Sequence, residues 1–120
     1  MPNENVKIFT DDDQISVCFY IENPEIMDIG EQLSEIDENA YMNGYNWEAV
    51  LNCYIENNAP ELLDTFETDS EAGLYAAYFE NTGEGKTNAE TLAEIITSLT
   101  EDTEKLFDFV REYGGEIEWD

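Results

Sequence analysis

The sequence predicts an α+β protein, a single domain in which four to five helices pack on a small, mostly antiparallel sheet of about four strands. Two early segments alternate apolar with polar residues, as strands do, whereas apolar residues elsewhere recur every three or four positions, as in amphipathic helices. The order is strand, strand, helices, strand, helices, strand, which differs from the regular alternation of a parallel sheet. A length of 120 residues fits one domain, 1-120.

The first two strands are predicted to form a hairpin. They cover residues 6–10 and 15–22, and the second places apolar residues at every other position, so one of its faces points into a core. The acidic segment 11–14 between them predicts the turn, because aspartate side chains accept hydrogen bonds from nearby backbone N–H groups.

Helix signals fill the middle of the chain. Asn23 followed by Pro24 is a typical cap and first helical residue, and it predicts a helix that runs to about Asp37. Asn46 is predicted to cap a second helix, which ends before Pro60, where a short third helix begins.

The second half is predicted to complete the sheet. Residues 73–80 contain six consecutive apolar residues, which indicates a central strand covered on both faces. Residues 82–87 are predicted to be a loop before two more helices, and the second of these stops at the glycine pair 114–115. Residues 116–119 can add a last short strand.

Net charge limits the choice of partner. Thirty Asp and Glu face four Lys and Arg, which gives −26, and no basic residue lies between Lys7 and Lys86. Such a field speeds encounter with cationic partners and repels nucleic acid and anionic membranes. We therefore expect a cationic protein partner, with no direct contact to nucleic acid or membrane. The alternative, that the charge serves solubility or reflects a salt-adapted host, stays open at this point.

Composition predicts a folded protein of the cytoplasm. Apolar residues make up 42% of the chain and aromatic residues 12%, whereas disordered acidic chains contain few aromatics. No apolar run approaches the roughly 20 residues that span a bilayer, and residues 1–10 lack the pattern of a signal peptide. Cys18 and Cys53 are predicted to be buried thiols, since the sequence has no His and no CxxC pair.

Patterns for catalysis or cofactor binding are incomplete. The Gly-Lys-Thr segment at 85–87 could end a phosphate-binding loop, but the glycine that such a loop needs is replaced by Glu80. The aspartates at 11–13 could bind calcium, but the residues after them fit a strand better. No GxSxG motif is present, so we expect neither an enzyme nor a cofactor or metal site. A small acidic enzyme or metal-binding protein is a minor alternative.

Two segments are candidates for partner binding. In the first, 41–47, the side chains of Tyr41 and Tyr45 can anchor an interface or join two helices, while Trp47 fits the apolar stripe of its helix. The second is an acidic stretch around the short third helix and its exit loop, composed of Glu61, Asp64, Glu67, Asp69 and Glu71. Folded together, these carboxylates would offer a docking site for Arg and Lys, although a solvated face is the ordinary explanation.

Four segments together resemble the immunity protein 51 family of bacterial polymorphic toxin systems. They are NGYNW at 43–47, VLNCY at 50–54, EAGLY at 71–75 and FVREYGGEIEWD at 109–120. The resemblance extends from about residue 15 to residue 120. It implies a small α+β protein, encoded beside a secreted toxin, that binds the toxin domain and blocks it. It transfers no inhibitory residue, so the candidate residues above rest on their own chemistry.

The function predicted is therefore that of an immunity protein, which neutralises a cognate, cationic toxin domain through an acidic surface. The alternative is a nucleic-acid mimic or acidic regulator that occupies basic DNA-binding proteins. The two differ in selectivity, because a mimic should bind many such proteins and compete with duplex DNA, whereas an immunity protein should bind its cognate toxin alone.

Overall fold

The computed structural model describes residues 4–119, which contain four strands and five helices. The strands are β1 (Val6–Thr10), β2 (Gln14–Tyr20), β3 (Glu67–Thr68) and β4 (Leu74–Glu80). The helices are α1 (Pro24–Ile36), α2 (Gly44–Asn58), α3 (Pro60–Leu63), α4 (Gly83–Glu101) and α5 (Thr103–Tyr113). The sheet order is β1-β2-β4-β3 with antiparallel neighbours, which confirms the predicted α+β class. Residues 1–3 and 120, which belong to segments considered above, lie outside this part.

The predicted hairpin is confirmed. The Asp11 N–H donates to the Gln14 carbonyl over 2.8 Å, and the Asp12 N–H donates to Asp11 Oδ1, also over 2.8 Å. The apolar residues that alternate along β2 point into the core, as predicted, and are fully buried; they are Ile15, Val17 and Phe19. The strand ends at Tyr20, two residues before the predicted boundary.

The prediction that both faces of the 73–80 strand are covered is wrong. Tyr75, Ala77 and Phe79 of β4 belong to the hydrophobic core that the helices share. Their neighbours on the opposite face lie outside that core; they are Leu74, Ala76 and Tyr78. The run is uninterrupted because both faces carry apolar side chains, and such a run by itself does not show that helices cover both. We call the side of the sheet opposite the core the outer sheet face.

The start of α1 is as predicted, but the start of α2 is not. Asn23 Oδ1 accepts a hydrogen bond from the Ile26 N–H over 3.1 Å, which caps α1. In α2 the cap is Asn43, whose Oδ1 accepts from the Asn46 N–H over 2.9 Å, so the predicted cap at Asn46 is three residues too late. The Asn46 side chain is instead buried and donates to the Tyr41 carbonyl over 2.7 Å.

The predicted loop at 82–87 is also wrong, because α4 already begins at Gly83. Thr82 caps this helix, and its Oγ1 accepts from the Gly85 N–H over 2.9 Å. Glycine at position 85 indicated a loop, but its role here is steric: a Cβ there would lie 1.9 Å from the Glu80 carbonyl oxygen. The Gly-Lys-Thr segment therefore lies in the first turns of a helix.

The fourth strand is β3 and not the predicted strand at 116–119. That segment turns back on α5: the Glu116 N–H donates to the Tyr113 carbonyl over 2.7 Å, and Trp119 Nε1 donates to the Gly114 carbonyl over 3.1 Å. Ile117 of this segment is buried in the helix-side core, and residues 116–119 form no strand.

Both cysteines are free thiols, and burial raises the pKa of each. Cys53 is buried on α2 as predicted, whereas Cys18 is only half-buried, because it lies on the outer sheet face. Among the described residues, no helix is long and apolar enough to cross a membrane.

Candidate functional site

The acidic side chains lie at the surface and have few cationic neighbours. Within residues 4–119, every Asp and Glu except Asp37 and Glu48 is exposed. The part of the chain that the structure describes holds a single ion pair, in which Arg111 Nη1 lies 2.8 Å from Asp108 Oδ1 at an exposed site. Most carboxylates are therefore available to an external partner.

The predicted acidic stretch divides between a helix and a strand. Glu61 and Asp64 lie on and just after α3, and both are exposed. The other three residues lie along β3 and its continuation, opposite β4. The cross-strand pairs are Glu67 with Tyr78, Asp69 with Ala76 and Glu71 with Leu74. Since alternate residues of a strand point to the same face, these three acidic side chains share the outer sheet face. We call them the β3 carboxylates.

The outer sheet face carries apolar side chains bordered by the β3 carboxylates. The strand register arranges its residues in three rows that cross the sheet. The rows are Phe9, Ser16, Tyr78 and Glu67; Lys7, Cys18, Ala76 and Asp69; and Tyr20, Leu74 and Glu71. Each row ends in a carboxylate at the β3 edge, so an aromatic surface and a charged rim lie side by side.

The raised pKa of the Tyr78 hydroxyl agrees with the proximity of these groups that the strand register shows. Burial is the main cause of the raised pKa of its hydroxyl, and Asp69, the Cys18 thiol and Glu71 raise this pKa further. All three belong to the neighbouring rows of the outer sheet face. A negative field therefore acts on the aromatic surface itself.

The two candidate tyrosines lie elsewhere, at the N-terminal end of α2. Tyr41 precedes the helix and is 78% exposed, while Tyr45 in its first turn is 43% exposed. Trp47 is assigned correctly to the core, where it is 1% exposed and packs edge-to-face on Phe19 with ring centroids 5.0 Å apart. Both tyrosine rings thus remain accessible to a partner.

A direct backbone contact joins the two candidate segments. The Gly44 N–H donates to the Ala72 carbonyl over 2.8 Å, and the Ser70 hydroxyl donates to Glu48 Oε1 over 2.8 Å. The first turn of α2 therefore packs on the turn between β3 and β4, next to the end of the row of β3 carboxylates. The contact is close enough that a Cβ at Gly44 would lie 1.8 Å from the Glu71 carbonyl oxygen.

Two grooves are also lined by carboxylates. One of about 840 Å³ lies between α2 and the C-terminal segment; its lining includes Tyr45, Glu48, Cys53, Glu56, Glu116 and Glu118. The other, of about 590 Å³, lies at the end of the sheet, and its lining includes Asp13, Asp64, Glu67, Glu80 and Glu84. Over residues 4–119, no group of three or more Cys, Asp or Glu side chains is arranged to hold a metal ion.

Sequence reasoning missed the aromatic residues of the outer sheet face. Phe9 and Tyr20 are 49% and 39% exposed, and both occupy strand positions where a charged residue is usual. A second signal was the spacing of the β3 carboxylates, which occur at every other position, as on a strand. Together these two patterns indicate a sheet face with exposed aromatic residues and an acidic edge.

Comparison with known proteins identifies a family. The family model described as immunity protein 51 matches residues 6–114, which is most of the chain. No curated protein and no solved structure matches the chain.

Proposed function

Because the chain belongs to the immunity protein 51 family, we propose that it binds a cognate toxin protein and neutralises it by covering a cationic surface of that toxin. The observation that carries this proposal is the combination of a net charge of −26 with carboxylates that are exposed and, in the described part of the chain, almost all without an ion-pair partner. Binding is stoichiometric, involves no catalytic step, and takes place in the cytoplasm.

Carboxylates suit this task at two ranges of distance. At long range, the negative field attracts a cationic toxin and speeds encounter. At contact, Asp and Glu accept charge-assisted hydrogen bonds from Lys and Arg, and an Arg guanidinium can engage one carboxylate through two parallel bonds. The proposed surface includes the five acidic residues of 61–71, with Tyr41 and Tyr45 as aromatic contacts nearby. A toxin that acts on nucleic acid would lose the cationic surface that its substrate needs.

The direct test is co-expression of this protein with the product of the gene immediately upstream. We expect growth to be rescued and the two proteins to co-purify as a stable complex. An unrelated acidic protein of similar charge should do neither, which separates recognition from general electrostatics. A toxic neighbour that is neither bound nor neutralised would contradict the proposal.

Selectivity decides between this function and nucleic-acid mimicry. The protein should bind the upstream product and ignore a panel of basic DNA-binding proteins. Binding to several members of that panel, in competition with duplex DNA, would favour the mimic.

Ionic strength should change the association rate more than the dissociation rate. Raising the salt concentration from about 10 mM to 0.5 M should lower the rate constant for association with the toxin on the order of 100-fold, because salt screens the long-range attraction. Stopped-flow mixing or biolayer interferometry measures both rate constants. An association rate that does not change with salt would show that the acidic surface does not guide binding.

A further inference from the structure

We infer that the outer sheet face is where the toxin docks, and that its aromatic side chains and the β3 carboxylates along its edge both contact the toxin. This inference rests on the toxin-neutralising function proposed above and names the surface that performs it.

The first argument is the exposure of large apolar side chains on this face. The described residues include five exposed large hydrophobic side chains, and two of them, Phe9 and Tyr20, lie here. Tyr78 lies in the same row as Phe9, and Leu74 pairs with Tyr20. Both are half-buried, and neither belongs to the core. Contiguous apolar surface on a folded protein marks an interaction site, and aromatic residues supply much of the binding energy at interfaces.

The second argument is that the face is packed and therefore preformed. Ala76 lies in the central row and is only 1% exposed, although it is outside the helix-side core. Its neighbours on this face are Cys18 and Asp69 across the sheet and Leu74 and Tyr78 along β4, and we infer that these side chains shield it as one layer. The layer rests on four hydrogen-bonded strands, and a surface that is already ordered loses little conformational entropy on binding.

The third argument, from charge, identifies the occupant. The β3 carboxylates form one edge of the face, whereas Lys7 is the single basic residue in its three rows. A second copy of this chain would bring the same carboxylates and a further net charge of −26, and like charges at an interface oppose association. The face therefore fits a protein partner with an apolar centre and Lys or Arg beside it.

The groove between α2 and the C-terminal segment is the competing surface. It also carries several carboxylates, but Tyr45 is the aromatic residue in its lining. The two surfaces each contain one cysteine, since Cys18 lies on the outer sheet face and Cys53 lines the groove. This pair allows a test on the unmodified protein.

The test measures protection of the two thiols by the toxin. The wild-type protein is treated with a maleimide, alone and in complex with the protein encoded immediately upstream, and the labelling of each cysteine is followed by peptide mass spectrometry. We expect the complex to slow the labelling of Cys18 at least tenfold and to leave that of Cys53 within about twofold. Protection of Cys53 without Cys18 would move the interface to the groove and overturn the inference.

Substitutions on the face provide a second, independent measurement. The double variant Phe9→Thr with Tyr20→Thr removes both exposed rings and places at each position threonine, a residue that strands favour. We expect its dissociation constant for the same partner to rise at least ~30-fold, the loss typical of central interface residues. Circular dichroism and thermal melting of the free variant verify that it is folded.

A matched pair of charge variants separates local contact from net charge. The triple variant Glu67→Gln, Asp69→Asn, Glu71→Gln removes the β3 carboxylates, and Glu90→Gln, Glu94→Gln, Glu101→Gln removes three exposed carboxylates from α4. Both lower the net negative charge equally. The first should raise the dissociation constant about tenfold more than the second, whereas equal effects would overturn the inference.

The outcomes distinguish this inference from the proposed function. If the wild-type protein neither rescues growth nor binds, the function proposal fails and the docking face fails with it. If rescue and binding persist in the Phe9 and Tyr20 variant and in the β3 variant, the function stands and the docking face is wrong. Self-association that protects Cys18 without the toxin would show that a second copy occupies the face.

Discussion

Replacing Gly44 with alanine should lower the free energy of unfolding by about 3 kcal/mol, the upper part of the range for inserting an atom into a packed site. A Cβ at this position would lie 1.8 Å from the Glu71 carbonyl oxygen and 2.5 Å from that of Leu74. Both obstacles are backbone atoms of the turn between β3 and β4, so no side-chain rotation can relieve the clash. The first turn of α2 must move away from the sheet, which also breaks the hydrogen bond to Ala72.

Urea denaturation followed by circular dichroism measures this effect, and a melting temperature lower by roughly 10 °C should accompany it. Gly83→Ala is the matched control, because Gly83 is likewise the first residue of its helix and a Cβ there has no neighbour within 4 Å. That variant should be more stable than the wild type by about 0.5–1 kcal/mol, since alanine restricts the unfolded chain. Equal stability of the two variants would contradict the close packing of α2 on the turn.

The Gly44→Ala substitution should also weaken toxin binding in a protein that is still folded. The turn that it displaces lies between Glu71 and Leu74, which pair with each other and belong to one row of the outer sheet face. Under conditions where both glycine variants are folded, a lower affinity of Gly44→Ala alone would connect this contact to the docking face.

Tyr75→Phe should stabilise the protein, and more strongly at alkaline pH. The Tyr75 ring is fully buried in the core, and its hydroxyl has no hydrogen-bond partner among residues 4–119. Removing a buried polar group that lacks a partner should raise the free energy of unfolding by about 1–3 kcal/mol at pH 7. The ring itself, which fills the space beside Phe19, is retained.

The pH dependence follows from the raised pKa of this hydroxyl, which is caused first by burial and second by the negative charge of Glu48. Above about pH 10 the tyrosine ionises in the unfolded chain but stays protonated in the folded protein, so the unfolded state is favoured. Relative to its value below pH 10, the stability of the protein with Tyr75 should therefore fall by about 1.4 kcal/mol per pH unit above pH 10, whereas that of Tyr75→Phe lacks this loss. At pH 12 the total advantage of Tyr75→Phe should reach roughly 4–6 kcal/mol.

Urea denaturation of both proteins between pH 7 and 12 measures this difference. The other groups with raised pKa values, Tyr78, Cys18 and Cys53, are present in both proteins, so the comparison isolates Tyr75. Tyr41→Phe, which removes a hydroxyl from the surface, controls for the loss of one tyrosine. A difference that does not grow above pH 10 would show that the Tyr75 hydroxyl is accessible to water.

The elements that sequence reasoning predicted correctly are those with local causes. The hairpin follows from the alternation of apolar residues along β2 and from aspartates that suit its turn. The start of α1 follows from Asn23 and Pro24, whose side chains act on residues no more than a few positions away. In both cases the interactions that form the element lie within the segment itself.

The errors arise where a specific contact, and not the general preference of a residue, decides the structure. Gly85 indicated a loop, but it lies in the first turn of α4, which Thr82 caps, and a Cβ there would meet the Glu80 carbonyl. The predicted cap at Asn46 placed Gly44 before the second helix, but Gly44 is the first residue of α2, where a Cβ would meet the Glu71 carbonyl. The strand at 67–68 was missed because two residues carry little periodicity, and it exists through its pairing with β4.

The sequence by itself determined the α+β class, the hairpin and the net charge of −26, because composition and local periodicity do not depend on how the chain folds. Only the tertiary structure decided which carboxylates share a surface with which aromatic residues. Phe9, Tyr78 and Glu67 occupy one row because β1, β2, β4 and β3 pair in a particular order and register. That register is fixed by burial of the opposite face in the core, since a shift of one residue would turn every side chain of a strand to the wrong side.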